Sequence, residues 1–226
     1  MLSSLLHLIF PKNCHSCGNA ITDKLENICL NCRNELPYTY ASAKSRESLE
    51  KLFRGRIQLQ KIAAFLKFEK GGKVQQLIHR MKYQDQKEIG HTLGEMAAAM
   101  LKEENFFENI DLLIPIPIHP FKERRRGYNQ SQYIAEGVEM ASGVKLDSTS
   151  VKKSIHTDSQ TRKEKFKRWE NVSASFEVIH EKELQGKHLL LIDDVITTGA
   201  TIEACAAELQ KIKGVKISIL SMAFTY

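Results

Sequence analysis

Residues 188–201 read His-Leu-Leu-Leu-Ile-Asp-Asp-Val-Ile-Thr-Thr-Gly-Ala-Thr, and the fold is decided here. The apolar run Leu189, Leu190, Leu191, Ile192 predicts a buried strand that ends on two adjacent carboxylates, Asp193 and Asp194. A loop of small residues follows: Thr197, Thr198, Gly199, Ala200, Thr201. Ile202, Ala206, Leu209 and Ile212 then recur at helical spacing. Strand, short loop and helix N-terminus form a natural phosphate site, because the first helical N–H groups lack partners and the helix dipole is positive there. Gly199 lets the backbone approach an anion, and the threonine hydroxyls add donors. The two acids would repel a phosphate, so they are expected to face neutral hydroxyls or a magnesium ion. One phosphate beside a vicinal diol satisfies both halves, which describes a ribose 5-phosphate. A Walker A loop would need a glycine-rich run closing on Gly-Lys-Ser/Thr, and a dinucleotide fingerprint would need G-x-G-x-x-G; neither pattern is present.

Working outward, the remaining segments alternate in type. Residues 57–68 read as a bent strand or two short ones. Val74, Leu77, Ile78 and Met81 mark one helix face, and residues 89–101 mark a second amphipathic helix. Leu112 to Ile118 is an apolar run in which Pro115 and Pro117 should stop strand pairing. Residues 130–140 read as another helix, 176–179 as a short strand and 215–223 as the closing strand. Strands alternating with helices imply a mostly parallel sheet covered on both faces, with ligands at the carboxyl ends of its strands, where Asp193 falls.

The 226 residues suffice for one substantial domain and a small one, with divisions expected at 1–55 and 56–226. A composition 42% hydrophobic and 27% charged is that of an ordinary soluble protein, and a net charge of +6 suits polyanionic ligands. No apolar stretch approaches membrane-spanning length, and residues 1–10 lack the basic start and cleavage site of a signal peptide. A short helix packed on its own protein is the preferred reading of that segment; peripheral membrane contact is the alternative.

Cys14, Cys17, Cys29 and Cys32 follow the pattern C-x2-C-x11-C-x2-C. Two such knuckles bring four thiolates onto one tetrahedral ion, which suits structural zinc and leaves no open coordination position. Disulfides would require a secreted context that nothing in the sequence supports. Cys205, on the helix after the Asp193 loop, reads as a small buried residue.

A second anion site is expected at His119-Pro120-Phe121-Lys122-Glu123-Arg124-Arg125-Arg126-Gly127-Tyr128-Asn129-Gln130. Guanidinium forks bind phosphate oxygens bidentately; Gly127 permits a tight bend and Asn129 can cap the next helix. Lys82, at the end of its helix, can reach a pyrophosphate or simply compensate the helix C-terminus. His119 is a candidate only by position.

Ile192 to Thr201 resembles the phosphoribosyl pyrophosphate (PRPP) loop of type I phosphoribosyltransferases. The resemblance implies that Asp193 and Asp194 hold the ribose hydroxyls and that Thr197, Thr198, Gly199, Ala200 and Thr201 cradle the 5-phosphate, with magnesium accompanying PRPP. A narrower resemblance covers almost the whole chain. The four cysteines, Lys82-Tyr83, Pro115-x-Pro117-x-His119-Pro120, Arg125-Arg126-Gly127-Tyr128-Asn129-Gln130, Gln160 and Arg168-x-x-Asn171-Val172 look like the ComF (ComFC) late competence proteins. That likeness implies a type I phosphoribosyltransferase-like sheet with a small N-terminal zinc module. It also implies a role in natural transformation on the cytoplasmic side, handling incoming single-stranded DNA alongside a DNA-import or helicase partner.

Two functional readings follow. The preferred one is a competence protein binding single-stranded DNA and PRPP, with Lys82, Arg125 and Arg126 meeting pyrophosphate or DNA phosphates and Tyr128 and Trp169 offering rings to bases. The alternative is an active phosphoribosyltransferase, in which the same groups neutralise departing pyrophosphate. No general acid or acceptor-reading residue stands out, so catalytic residues are left unassigned.

Overall fold

The computed structural model describes residues 12–21, 27–39, 43–153 and 176–225. The elements in chain order are α1 (Leu30–Asn34), α2 (Ala43–Phe53), β1 (Ile62–Lys67), α3 (Lys73–Tyr83), α4 (Glu88–Lys102), β2 (Leu112–Pro115), α5 (Pro120–Arg126), α6 (Gln130–Ser142), β3 (Val151–Lys153), β4 (Phe176–Val178), α7 (Glu181–Leu184), β5 (His188–Ile196), α8 (Ala200–Leu209) and β6 (Lys216–Phe224).

Four strands form one sheet in the order β1-β6-β5-β2, with every neighbouring pair parallel. β5 and β6 are central and buried along almost their whole length, as strands covered on both faces are. One face packs on α3, α4 and α6 through Leu77, Met81, Leu93 and Ile134; the other packs on α2 and α8 through Leu49, Phe53, Ile202 and Leu209. The expected parallel sheet with helices on both faces is therefore the architecture. α4 and α6 cross at contact distance because both carry glycine at the crossing: a Cβ on Gly94 would stand 2.2 Å from the Ile134 carbonyl oxygen, and one on Gly137 2.2 Å from that of His91.

Several local expectations need correction. Residues 57–61 are not strand; only β1 is. β4 does not join the main sheet but pairs antiparallel with β3 in a separate ribbon. β5 does not end at the acids: it runs through them to Ile196, because β6 continues to pair with it as far as Ile196↔Phe224. The three arginines before the bend at Gly127 are helical. They form the last turn of α5, with His119 as N-cap accepting from the Phe121 amide and Gly127 (φ 83°) as C-cap.

The cysteine segment packs against the main body. Cys14, Ile28, Cys32 and Leu36 belong to the same buried cluster as Leu77 and Leu93. Among the described residues no helix is long and apolar enough to cross a membrane.

Candidate ribose-phosphate site and cysteine metal centre

The site exists because β2 is shorter than β5. Pro115, which has no amide hydrogen, is the last paired residue of β2, opposite Ile192; the Ile116 amide adds one bond to the Ile192 carbonyl at 2.9 Å. Beyond that point β5 keeps β6 on one side and, among the described residues, has no strand on the other. Asp193 and Asp194 are the first residues past the end of β2, at the carboxyl edge of the sheet.

Adjacent strand residues face opposite ways, and the two acids meet different surroundings. Asp194 is buried and turned toward α3, where its Oδ1 pairs with Lys82 Nζ at 2.8 Å. Asp193 Oδ1 accepts from the Ser131 hydroxyl at 3.2 Å, in the first turn of α6, and from the Asp194 amide at 2.9 Å. Burial, and then the neighbouring Asp194 charge, push the Asp193 carboxyl well above the usual carboxylate range. A strand end carrying two crowded carboxylates is electrostatically expensive, and a ligand diol or a divalent cation would relieve it.

The loop then turns into α8. Thr197, Thr198, Ala200 and Thr201 are exposed, while Gly199 is buried with φ 75°. The Ala200 amide touches Thr198 Oγ1 at 3.4 Å; the amides of Thr198, Gly199, Thr201 and Ile202 have no partner among the described residues. These donors line a small cavity shared with Asp193 and Val195. Gly199 rests on α2: a Cβ there would lie 2.8 Å from two Phe53 ring carbons and 3.2 Å from Leu52 Cδ2. Phe53 is buried and cannot withdraw. Gly199→Ala is expected to cost about 2–4 kcal/mol, adding left-handed strain to overpacking. A denaturant midpoint equal to the parent's would show the loop more pliable than this.

The structure sorts the remaining candidates. Lys82 does reach the acids, but as the partner of Asp194, so its ammonium is already engaged by that carboxylate. Arg126 Nη1 donates to Gln130 Oε1 at 2.6 Å, and its guanidinium lies 5.1 Å from the Tyr83 ring centre. Arg125 is exposed on α5, together with Lys122 and Arg124. Tyr128 is not a stacking platform, which corrects that expectation. It is only 5% exposed, its hydroxyl donates to the Met81 carbonyl, and its ring sits edge-on to Tyr133. Tyr83, 53% exposed, lies against Arg126, and Phe121, 45% exposed, stands on the arginine helix itself. Trp169 lies outside the described residues, as do Gln160, Arg168 and Asn171.

Two groups were missed by the sequence reading. One is Ser131. The other is Lys153, at the end of β3, with its Nζ 5.2 Å from the Phe176 ring centre. Burial, then the Lys122 charge, lower the Lys153 pKa, while the Asp193 carboxylate opposes that shift. Had Val151-Lys152-Lys153 been read as a strand, alternation would have turned Lys153 inward with Val151.

At the amino-terminal end, the sulfurs of Cys14, Cys17, Cys29 and Cys32 all lie within 4.8 Å of one another, with Cys17 and Cys29 at 3.9 Å. A tetrahedral ion with bonds of about 2.3 Å to sulfur requires sulfur–sulfur edges of about 3.8 Å, so the four fit zinc. The Ser16 and Cys29 amides point at Cys14 Sγ from 3.4 and 3.3 Å, the arrangement that stabilises a metal-bound thiolate. Burial pushes the Cys14 thiol up, but these bonds and that to Cys17 outweigh it and leave the group below its ordinary value; burial dominates at Cys32 and raises it.

No family model matches the chain. Competence protein F of Haemophilus influenzae is 28% identical over 151 residues, 65% of this chain and 66% of that protein. DNA utilization protein YhgH of Salmonella typhimurium is 26% identical over 133 residues, 58% of each. Both relatives are thus named for competence or DNA utilization. A third, competence protein ComFC of Bacillus subtilis, is 30% identical over 112 residues, 49% of this chain and 43% of that one. The matched regions thus span from under half to about two thirds of the relatives' lengths. Among solved structures, adenine phosphoribosyltransferase from Leishmania tarentolae aligns over 70% of this chain and 90% of its own, with 9% identity and a TM-score of 0.40.

Proposed function

We propose that the protein acts in DNA uptake during natural transformation, on the cytoplasmic side, binding PRPP with magnesium at the carboxyl edge of β5 and single-stranded DNA on the basic surface of α5. The observation that carries the ligand reading is the position of Asp193 and Asp194. They sit just past the end of β2 and shortly before a loop in which the amides of Thr198, Gly199, Thr201 and Ile202 have no partner among the described residues, so a diol and a phosphate can be held a few residues apart on one strand–loop–helix unit. The relatives named for competence and DNA utilization support the cellular role, and a DNA-import or helicase partner belongs to the same proposal. Asp193 and Asp194 would take the ribose hydroxyls and the magnesium ion. Residues 197–201 would take the 5-phosphate, and Lys82 the pyrophosphate. Bound magnesium would supply charge neutralisation of the pyrophosphate.

Calorimetric titration with magnesium and PRPP tests the ligand half, and absence of heat or of saturable binding would remove it. Labelled oligonucleotide titrated at two salt concentrations tests the DNA half. Salt-sensitive, sequence-indifferent binding is expected. The double variant Arg125→Ala, Arg126→Ala should reduce the slope of log affinity against log salt by about 1.4, two phosphate contacts on a single strand. An unaltered slope would place DNA elsewhere. Transferase turnover is the second reading, favoured by the Lys82–Asp194 pair, which brings a cation to the ribose acids. Pyrophosphate release from PRPP on addition of an acceptor base would establish it.

A further inference from the structure

The helix that delivers Lys82 to the acids is gripped by the cysteine segment at both ends. At the start of α3, Lys73 Nζ lies 3.9 Å from Cys32 Sγ and pairs with Glu35. Near its end, Arg80 Nη1 donates to the backbone carbonyl of His15, inside the first knuckle, at 2.7 Å. Just past the end, Gln86 Oε1 meets His15 Nδ1 at 2.9 Å, and Asn27 Nδ2 donates to Thr92 Oγ1 on α4 at 2.7 Å. Between these contacts, Val74, Leu77, Ile78 and Met81 share a buried cluster with Cys14, Ile28 and Cys32.

Arg80 and Lys82 are two residues apart, about 200° around the helix, so they point in nearly opposite directions. One engages the knuckle and the other engages Asp194. The His15 carbonyl belongs to a turn bracketed by Cys14 and Cys17, and the path of that turn depends on whether both sulfurs are held on one ion. Releasing the ion frees the turn. The Arg80 guanidinium then loses an oriented, charge-assisted acceptor, and the last turn of α3 loses its outer anchor.

We infer that Arg80 is a positioning residue that couples occupancy of the four-cysteine metal site to the placement of Lys82 beside Asp194. The ligand consequence rests on the PRPP reading above; the coupling itself does not. A cysteine module serving only local stability would need no directed bond from the helix that carries the site's lysine.

The test uses the full zinc-loaded chain. Arg80→Ala is expected to speed amide exchange over residues 78–86 and to weaken magnesium–PRPP binding about tenfold, within the usual range of coupling between sites, with zinc content unchanged. Removing zinc from the parent by chelation should speed exchange over the same residues. Arg80→Lys, which keeps the charge but not the fork, should restore part of the affinity. In a Lys82→Ala background, Arg80→Ala should cost no further affinity, because its effect runs through Lys82. Equal losses with and without Lys82, or exchange over 78–86 left unchanged by Arg80→Ala or left unchanged by chelation, would overturn the inference. If Arg80→Ala fails to fold, Gln86→Ala, which loosens the same turn, carries the same exchange and cycle measurements. If the parent binds no PRPP, the proposed function fails while the exchange arm still decides the coupling.

Discussion

Cys29→Ser is expected to abolish zinc binding and lower the melting temperature by about 10 °C or more, since each kcal/mol lost shifts a chain of this size by about 2–4 °C. Three thiolates and a hydroxyl hold zinc poorly, and binding energy at a structural zinc site is largely folding energy, about 10–16 kcal/mol in isolated zinc peptides. Here the loss extends beyond the module. Cys14, Ile28, Cys32 and Leu36 complete the cluster around Leu77, Met81 and Leu93, so loosening the knuckles exposes one face of α3 and α4. Chelation of the parent should reproduce the shift. Cys205→Ala is the control. Cys205 is buried on α8, burial pushes its thiol up, and it takes no part in the sulfur cluster, so zinc content should not change. A parent stripped of zinc that melts at its original temperature would refute a structural metal.

The parts of the molecule legible in the sequence were those governed by local chemistry. The apolar run 189–192, the helix face of Val74, Leu77, Ile78 and Met81, the Asn129 cap and the cysteine spacing each carry their own periodicity or geometry, and each is present as expected. What was not legible depends on partners distant in sequence. The extension of β5 through the acids to Ile196 is decided by β6, which lies beyond α8 in the chain. Tyr128 reads as an exposed aromatic in a basic stretch, yet its burial is set by Met81 and Tyr133. Lys153 looks like one lysine among many until the ribbon of β3 and β4 places it near Asp193. The Lys82–Asp194 pair spans 112 residues, and no local pattern announces it. The candidate site was therefore readable as a strand–loop–helix unit, while its electrostatic surroundings required the tertiary structure.

Those surroundings make the two acids unequal, and the Asn variants should separate them. Asp193→Asn and Asp194→Asn are both expected to weaken magnesium–PRPP binding by roughly 10- to 100-fold, the loss of one set of charged hydrogen bonds. Their effects on stability should differ in sign. Asp193 is held above its ordinary pKa by burial first and by the Asp194 charge second, so ionising it opposes folding. Its contribution is most favourable at low pH, where the carboxyl is protonated in both states. It falls as pH rises from the unfolded-state value through the raised folded-state value, then levels off. Asp193→Asn removes that loss, and at neutral pH the unliganded variant should be more stable than the parent by about 0.5–2 kcal/mol, as when function is traded for stability. Asp194→Asn also lessens the crowding of Asp193, but it leaves the largely buried Lys82 ammonium without its counter-ion, so a net destabilisation of about 1–3 kcal/mol is expected. Urea midpoints at pH 5 and pH 8 decide the matter: the gap between Asp193→Asn and the parent should widen at the higher pH. If it does not widen, or if both variants shift stability the same way, the acids are not the strained pair described here, and the reason for placing a ligand diol between them disappears.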